Sequence, residues 1–302
     1  MSEKINIQGF QGLEKNKGPG SAWFQGLGKR LEAAGSGNAK RALEELAAHV
    51  LGCKPLEIYF RKMTPEQGAE LETLIARAEL GEPIQYIIGH VDFRGLEIHC
   101  DPRALIPRPE TELLVDAVLS SISNQQSSID IVDVCTGTGC IGLALASELP
   151  NATVTAVDIS PDALALAKEN AGRLGLSERF QCLENNLLEG IEEALFDVVV
   201  SNPPYIFSNV WKTLDPCVRD HEPQLALDGG EDGMDLIRPL VEQAARVLKP
   251  GGGLFIEMGY DQGPAVFQTL ENSGFQNVRI IKDYSGLDRI VCGVRPLGGV
   301  RC

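Results

Sequence analysis

A regular alternation of strand and helix patterns begins at residue 129 and constrains the fold more than any other feature. Ile129 to Val134 has the pattern of a buried strand, and the helical pattern of Ile141 to Glu148 follows it. The same order recurs with a strand at residues 153–158 and a helix that begins near Ser160 and reaches about Arg173. Such alternation predicts an α/β fold with parallel strands and crossover helices. Further strands are expected at residues 180–183, 196–201, 254–257, 278–281 and 289–294, and further helices at 234–248 and 265–273.

A glycine-rich turn, residues 135–139 (Cys-Thr-Gly-Thr-Gly), follows the first of these strands. Glycines at this place let the backbone approach a ligand at the N-terminus of the next helix. With Gly142 they complete the Gly-x-Gly-x-x-Gly pattern of dinucleotide sites. The second strand ends in Asp158, and an acid there can bind both hydroxyls of a ribose. NAD and S-adenosylmethionine (AdoMet) both contain that ribose, so this turn alone leaves both cofactors open.

A second turn, Asn202-Pro203-Pro204-Tyr205, follows the strand at residues 196–201. Two consecutive prolines end the strand, which places Asn202 at a carboxyl edge where open α/β sheets bind ligands. An asparagine side-chain amide offers one hydrogen-bond acceptor and two donors. The prolines keep the loop stiff, and an aromatic ring follows them. Together these features suit the binding of a planar group that carries an NH2. The tetrapeptide looks like the signature of methyltransferases that alkylate amide or exocyclic amine nitrogens; an ordinary strand-ending turn is the alternative. Because the tetrapeptide has no role in a nicotinamide enzyme, it favours AdoMet over NAD.

Asp133 lies on the first strand, directly before the glycine-rich turn. Its carboxylate could face the cationic methionine moiety of AdoMet. The alternative is a hydrogen bond to amides of the turn itself.

Composition and charge narrow the class of protein further. No apolar run approaches the roughly 20 residues that span a bilayer, and the N-terminus has no apolar signal-peptide core. The eight cysteines form no Cys-x-x-Cys pair, so neither a metal site nor a disulfide framework is expected, and the cytoplasm is the simplest location.

The net charge of −15 comes entirely from residues 96–302, which contain 15 basic and 30 acidic residues. Residues 1–95 contain 12 of each and are neutral. Nucleic-acid enzymes usually carry a basic footprint, because neutralising phosphates drives their binding. Direct nucleic-acid binding is therefore not expected.

The chain is expected to have a helical part before the α/β part. Thr64 and Pro65 form a capped helix start, and Gly52 stops the helix that begins at Ala39. The pattern alone leaves two roles for this part open, a packing appendage or a module that binds a partner. The predicted organisation is a flexible lead-in (1–20), an N-terminal helical domain (21–82), a connector with a hairpin (83–104) and the main domain (105–302).

With these features placed, the chain resembles the HemK/PrmC family of AdoMet-dependent methyltransferases, which act on glutamine in peptide-chain release factors. The likeness covers about residues 25–295. It is carried by the stretches at 81–87 (Gly-Glu-Pro-Ile-Gln-Tyr-Ile), 105–112 (Leu-Ile-Pro-Arg-Pro-Glu-Thr-Glu), 133–139, 157–160, 201–206, 222–223 and 227–233. The Pro-Arg-Pro-Glu-Thr-Glu stretch is the most specific, because other Asn-Pro-Pro-Tyr enzymes generally lack it.

The sequence departs from the family pattern at two positions. Cys135 stands where the family most often has glycine, and Asn186 stands where an aspartate near the adenine is usual. An asparagine can still accept a hydrogen bond from the adenine amine through its carbonyl oxygen.

The resemblance implies a seven-stranded, Rossmann-like AdoMet-dependent methyltransferase sheet with a small N-terminal helical domain that helps to hold the release factor. The substrate would be the glutamine of the Gly-Gly-Gln motif, the product N5-methylglutamine, and the protein a monomer. The implied cofactor-binding residues are Asp133, Cys135, Thr136, Gly137, Thr138, Gly139, Asp158, Ile159, Asn186, Leu187 and Asn202. The implied catalytic residues are Asn202, Pro203, Pro204 and Tyr205, which also bind substrate together with Arg108 and Glu110.

Two other functions stay open at this point. One is a DNA or RNA adenine-N6 methyltransferase, which would use the same turn on a flipped base. The other is a non-catalytic AdoMet-fold binding module, against which the intact Asn202 and Asp158 argue.

Overall fold

A computed structural model describes residues 18–122 and 128–297, so most of the predicted lead-in (1–20) lies outside the described residues. The chain divides into two compact units, Met1–Ile88 and Gly89–Cys302. Within the described ranges, every helix is too short or too polar to cross a membrane.

The first unit is helical. Its helices are α1 (Ala22–Ala33), α2 (Ala39–Leu51), α3 (Pro65–Glu79) and α4 (Ile84–Ile88), with a 3-10 helix at Pro55–Phe60. The predicted start of α3 is confirmed, since Thr64 and Gln67 exchange backbone-to-side-chain hydrogen bonds of 3.0 and 3.2 Å. The predicted stop of α2 is confirmed as well, because Gly52 adopts a left-handed φ of 58°.

The second unit contains a hairpin and a seven-stranded sheet, which confirms the predicted α/β class. The strands of the hairpin are β1 (His90–Phe93) and β2 (Leu96–His99). The strands of the sheet are β3 (Ile129–Val134), β4 (Ala152–Asp158), β5 (Phe180–Glu184), β6 (Phe196–Ser201), β7 (Leu248–Glu257), β8 (Gln276–Lys282) and β9 (Asp288–Val294). Their order is β5-β4-β3-β6-β7-β9-β8. β9 is antiparallel to both of its neighbours, β7 and β8, and the other neighbouring strands that the structure describes in this sheet are parallel.

Helices cover both faces of the sheet. The α-helices in the described part of this unit are α5 (Glu112–Ser121), α6 (Cys140–Glu148), α7 (Pro161–Arg173), α8 (Ser208–Trp211), α9 (Pro216–Arg219), α10 (Ile237–Val247) and α11 (Gly263–Asn272). Successive side chains of a strand point to opposite faces. Accordingly, Ile131 packs into an apolar cluster with α5 and α6, whereas Val132 and Val134 pack into a second one with α10 and α11. Burial on both faces explains why these strands are almost continuously apolar.

The amino-terminal part of β7 differs from the prediction. A turn was expected at Lys249 to Gly253, but the strand already begins at Leu248 and includes these residues. The pairing with β6 is irregular here, since Phe196 lies opposite Leu248 and Val198 opposite Gly253. The glycines allow this bulge. The helix before this strand also differs at its start, which was expected at Met234 and lies at Ile237.

The strand order places the two predicted turns side by side. The chain runs outward from β3 through β4 to β5 and then returns to the other side of β3 as β6. The carboxyl ends of β3 and β6 are therefore adjacent, at the kind of switch point where open α/β sheets bind ligands. Ser201 Oγ donates a 2.7 Å hydrogen bond to the Val134 carbonyl oxygen, which ties the two ends together.

Candidate active site

A cavity opens at this carboxyl edge, and most of the predicted cofactor-binding residues line it. They are Cys135, Thr136, Gly137, Thr138, Asp158, Ile159, Asn186, Leu187 and Asn202. Arg108 and Pro204 belong to the same wall. A smaller cavity lies beside it, lined among others by Arg108, Asn202, Pro203 and Tyr205. Asp133, Gly139 and Glu110 line neither cavity.

The glycine-rich turn presents its backbone to the larger cavity. Gly137 and Gly139 have φ values of 54° and 82°, which glycine adopts without strain. Cys135 also has a left-handed φ, of 58°, although it carries a side chain. Asp158 Oδ2 accepts a hydrogen bond of 2.9 Å from the Gly137 amide, and its Oδ1 accepts one of 3.0 Å from the Ser160 amide. Burial raises the pKa of Asp158, and these amides oppose the rise.

Asp133 lies beneath this turn and is completely buried. Its Oδ2 accepts hydrogen bonds from Thr136 Oγ1 at 2.7 Å and from the Gly142 amide at 3.0 Å. Burial raises its pKa to about 7. Asp133 therefore braces the turn from inside, and a contact between its carboxylate and the cofactor stays a prediction.

Gly142, the third glycine of the pattern, serves packing. A Cβ at this position would lie 2.8 Å from Val154 Cγ1 and 2.9 Å from Phe180 Cε2, so α6 can approach the sheet only without a side chain there.

The Asn-Pro-Pro-Tyr turn is held by the glycine-containing stretch at 227–233. The Ile206 amide donates to the Leu227 carbonyl at 3.0 Å, and the Gly229 amide donates to the Ile206 carbonyl at 2.8 Å. A Cβ on Gly229 would lie 2.7 Å from the Pro204 carbonyl oxygen. The two backbones touch, which explains the glycine at this position.

Asn202 stands between the two cavities and contributes to both walls. Its Nδ2 donates a 3.2 Å hydrogen bond to Oγ1 of the buried Thr111. The amide nitrogen is thus bonded to Thr111, whereas Oδ1 accepts no hydrogen bond from residues 18–122 or 128–297 and can accept one from a ligand. Sequence reasoning missed Thr111 as a site residue, although it lies within the Pro-Arg-Pro-Glu-Thr-Glu stretch.

Arg108 reaches the site because it forms an ion pair with the buried Glu222. Glu222 Oε2 also accepts a 3.1 Å hydrogen bond from the Ile106 amide. These contacts link the stretches at 105–112 and 222–223, which the sequence pattern had singled out separately. Glu110 is exposed, and Glu112 accepts a 3.1 Å hydrogen bond from the Arg94 amide.

The residues of the larger cavity fit AdoMet. Asp158 offers carboxylate oxygens at the position expected for ribose hydroxyls, and Ile159 and Leu187 supply apolar wall. Asn186 Nδ2 donates to Glu189 Oε1 at 2.7 Å, so its carbonyl oxygen can accept a hydrogen bond from an adenine amine. These residues would hold the cofactor.

Two family models match the chain, one for the helical part and one for the α/β part. The family described as PrmC N-terminal domain matches residues 22–89, and the family described as Methyltransferase small domain matches residues 110–214. A methyltransferase from Pyrococcus furiosus of known structure shares the fold, with a TM-score of 0.51 at 20% identity over 67% of this chain and 90% of its own.

Close relatives cover nearly the whole chain. The release factor glutamine methyltransferase of Caulobacter vibrioides is 41% identical over 84% of this chain and 88% of its own length. The protein of the same name from Koribacter versatilis is 39% identical over 90% of this chain and 97% of its own length. The one from Gloeobacter violaceus is 44% identical over 84% of this chain and 86% of its own length. The chain therefore belongs to the release factor glutamine methyltransferase family, as its resemblance to HemK/PrmC proteins predicted.

Proposed function

We propose that this enzyme transfers a methyl group from AdoMet to the side-chain nitrogen N5 of the glutamine in the Gly-Gly-Gln motif of peptide-chain release factors. The relatives' names, both family matches and the cofactor cavity support this function. The observation that carries it is the position of Asn202, which lies between the two cavities with its Nδ2 bonded to Thr111.

The chemistry that the enzyme must assist is attack by a poor nucleophile, because the lone pair of an amide nitrogen is delocalised into the carbonyl. Asn202 Oδ1 and the Pro203 carbonyl oxygen each accept a hydrogen bond from one N–H group of the substrate amide. These two bonds hold the amide nitrogen in one position. When bound, AdoMet supplies the electrophilic methyl group on its sulfonium. Positioning of this kind contributes several kcal/mol, up to roughly 7–11 in ideal cases. Formation of the N–C bond would be matched by breakage of the sulfonium S–C bond, and the nitrogen, which the transfer makes acidic, would then lose one proton to water.

Tyr205 supplies part of the wall against which the substrate amide packs. Its hydroxyl lies 3.5 Å from Glu257 Oε1, and burial raises the pKa of Tyr205 to about 12. Tyr205 is therefore neutral at physiological pH and acts as a flat, uncharged surface rather than as a base.

Three finer aspects belong to the same proposal. The acidic balance of residues 96–302 disfavours nucleic acid as a substrate, which argues against adenine-N6 methylation. The helical unit at the N-terminus helps to hold the release factor, as the resemblance implies. The enzyme acts as a cytoplasmic monomer.

A methyl-transfer assay with labelled AdoMet tests the function directly. The substrates are a purified release factor, the same factor with the motif glutamine changed to alanine, duplex DNA and single-stranded DNA. We expect label only in the unaltered factor. Labelling of either DNA, or equal labelling of both factors, would contradict the proposal.

A further inference from the structure

A group of buried polar side chains lies behind Asn202. Glu257, at the carboxyl end of β7, is 1% exposed, and Thr111 is 2% exposed. Burial raises the pKa of Glu257 to about 7, and the neighbouring Thr111 hydroxyl, Arg289 and the Tyr205 hydroxyl lower it, whereas Glu110 raises it. Among the described residues, Glu257 Oε2 has no hydrogen-bond partner. Buried carboxylate oxygens normally accept hydrogen bonds, so a hydrogen-bond donor is expected close to Glu257.

The Thr111 hydroxyl has a single proton to donate. Since Asn202 Nδ2 donates to Thr111 Oγ1, the threonine acts as the acceptor in that bond. Its own proton is therefore available to another acceptor. Glu257 is the carboxylate that the Thr111 hydroxyl influences, and when ionised a carboxylate has no proton to donate and can only accept. We take the order of donors and acceptors to run from Asn202 to Thr111 and on towards Glu257.

We propose that Thr111 and Glu257 are positioning residues that hold the Asn202 side-chain amide in the orientation that presents Oδ1 to the substrate. The inference deepens the proposed function and rests on it. Without an acceptor at Glu257, the Thr111 hydroxyl can donate to Asn202 Oδ1, and the amide can turn by 180°. Asn202 would then present N–H groups to the N–H groups of the substrate amide, which cannot form a hydrogen bond.

Arg289 favours the charged form of Glu257 and so opposes the rise in pKa that burial causes. Its guanidinium donates to Asp283 at 3.1 Å and interacts favourably with the charge of Glu257. Tyr205 belongs to the same group through its contact with Glu257 Oε1. The arrangement therefore couples the catalytic turn to β7 and β9.

The test uses three variants of the full-length enzyme. Thr111→Val removes the hydroxyl with almost no change in volume, Thr111→Ser keeps it, and Glu257→Gln keeps the shape but can act as donor or acceptor. Each is measured for kcat and KM with a release factor and for AdoMet affinity by calorimetry, with a thermal melt as control for folding.

Thr111→Val should lower kcat about 10- to 100-fold, because the reacting nitrogen is no longer held in place. Its AdoMet affinity and the KM for the release factor should stay within about threefold of the wild type. Thr111→Ser, which keeps the hydroxyl, should have a kcat within about threefold of the wild-type value. A folded Thr111→Val enzyme with wild-type kcat, or a Thr111→Ser enzyme as impaired as Thr111→Val, would overturn the proposal.

The pH profile separates positioning from packing. In the wild type, kcat should fall as the pH drops through about 7, where Glu257 takes up a proton and can donate. Glu257→Gln should show a reduced kcat without this step. An identical step in both enzymes would assign it to another group, such as Asp133, and would contradict the role of Glu257.

Nuclear magnetic resonance of the free enzyme gives a result that does not depend on the substrate. The side-chain NH2 protons of Asn202 should show nuclear Overhauser effects to the Thr111 methyl group in the wild type. If these are present but no release factor is methylated, the network stands and the proposed function fails. If they are absent in an active enzyme, the network fails and the function stands.

Discussion

The two turns at the carboxyl edge of the sheet are built in opposite ways. The glycine-rich turn after β3 is held by residues that follow closely in the chain. Asp133 accepts from Thr136 and Gly142, Asp158 accepts from Gly137, and Asn170 of α7 donates to the Thr138 carbonyl oxygen. The Asn-Pro-Pro-Tyr turn after β6 is held from far away in the chain. Its Asn202 donates to Thr111, and its Tyr205 carbonyl accepts from Gln262 at 3.0 Å.

This difference matches the different tasks of the turns. Cofactor binding needs backbone groups and one carboxylate, which a short local segment can provide. Orienting a substrate amide needs one side chain fixed in one orientation, and this takes support from several elements. We therefore expect substitutions in the first turn to change AdoMet affinity and substitutions around the second to change kcat.

The largest effect is expected for Asn202→Ala. Loss of the acceptor should lower kcat about 10²–10³-fold, by analogy with removal of a hydrogen-bonding group aimed at a reacting centre. AdoMet affinity should change only a few-fold. Single-turnover kinetics and calorimetry measure the two quantities, and a variant that retains wild-type kcat would refute the role of Asn202.

Asp158→Ala should show the reverse pattern. Losing charge-assisted hydrogen bonds to the ribose should weaken AdoMet binding by about 1–3 kcal/mol. At saturating AdoMet, kcat should remain close to that of the wild type. Calorimetry with unchanged affinity in a folded variant would remove Asp158 from the cofactor site.

Gly229→Ala tests whether the catalytic turn depends on distant support. Its Cβ would press on the Pro204 carbonyl oxygen and on Tyr205 Cα, 2.7 Å from each. We expect a loss of about 1–3 kcal/mol in the free energy of unfolding and a roughly tenfold lower kcat.

The matched control for Gly229→Ala is Gly172→Ala on the exposed side of α7, where the new Cβ would meet only Ser177 Oγ at 3.9 Å. This substitution should be neutral or stabilise by up to about 1 kcal/mol. Equal melting temperatures and equal kcat for the two variants would show that the contact between Gly229 and the turn has no role.

The smallest effect is expected for Cys135→Gly, which restores the residue that the family most often has. Relief of the left-handed conformation, about 1–2 kcal/mol, is largely offset by the greater freedom of glycine in the unfolded chain. Stability should change by less than about 1 kcal/mol, and AdoMet affinity by less than about twofold. A larger loss of affinity would show that the thiol itself contributes to the site.

The contrast between a turn with local support and a turn with distant support also explains which features could be predicted from the sequence. The bounds of β3 and β6 follow from local patterns, and the structure bears them out. The contact between Asn202 and Thr111 joins residues 91 positions apart, and Glu257 approaches Tyr205 across 52 positions. No local pattern encodes such pairs. Only the specificity of the Pro-Arg-Pro-Glu-Thr-Glu stretch pointed to a function for the residues around Thr111.

The early start of β7 was missed for a related reason. Lys249 to Gly253 has the composition of a turn, but Lys249 Nζ binds Asp130 Oδ2 and Asp197 Oδ2 at 2.8 Å each and anchors the segment to β3 and β6. Tertiary contacts here override local preference.

The most direct test of the account is to locate the methyl group. A release factor treated with the enzyme and labelled AdoMet is digested, and the peptide that contains Gly-Gly-Gln is sequenced by tandem mass spectrometry. We expect one additional methyl group on the side-chain nitrogen of that glutamine with the wild-type enzyme, and none with Asn202→Ala. A methyl group on any other residue, or the same yield with Asn202→Ala, would contradict it.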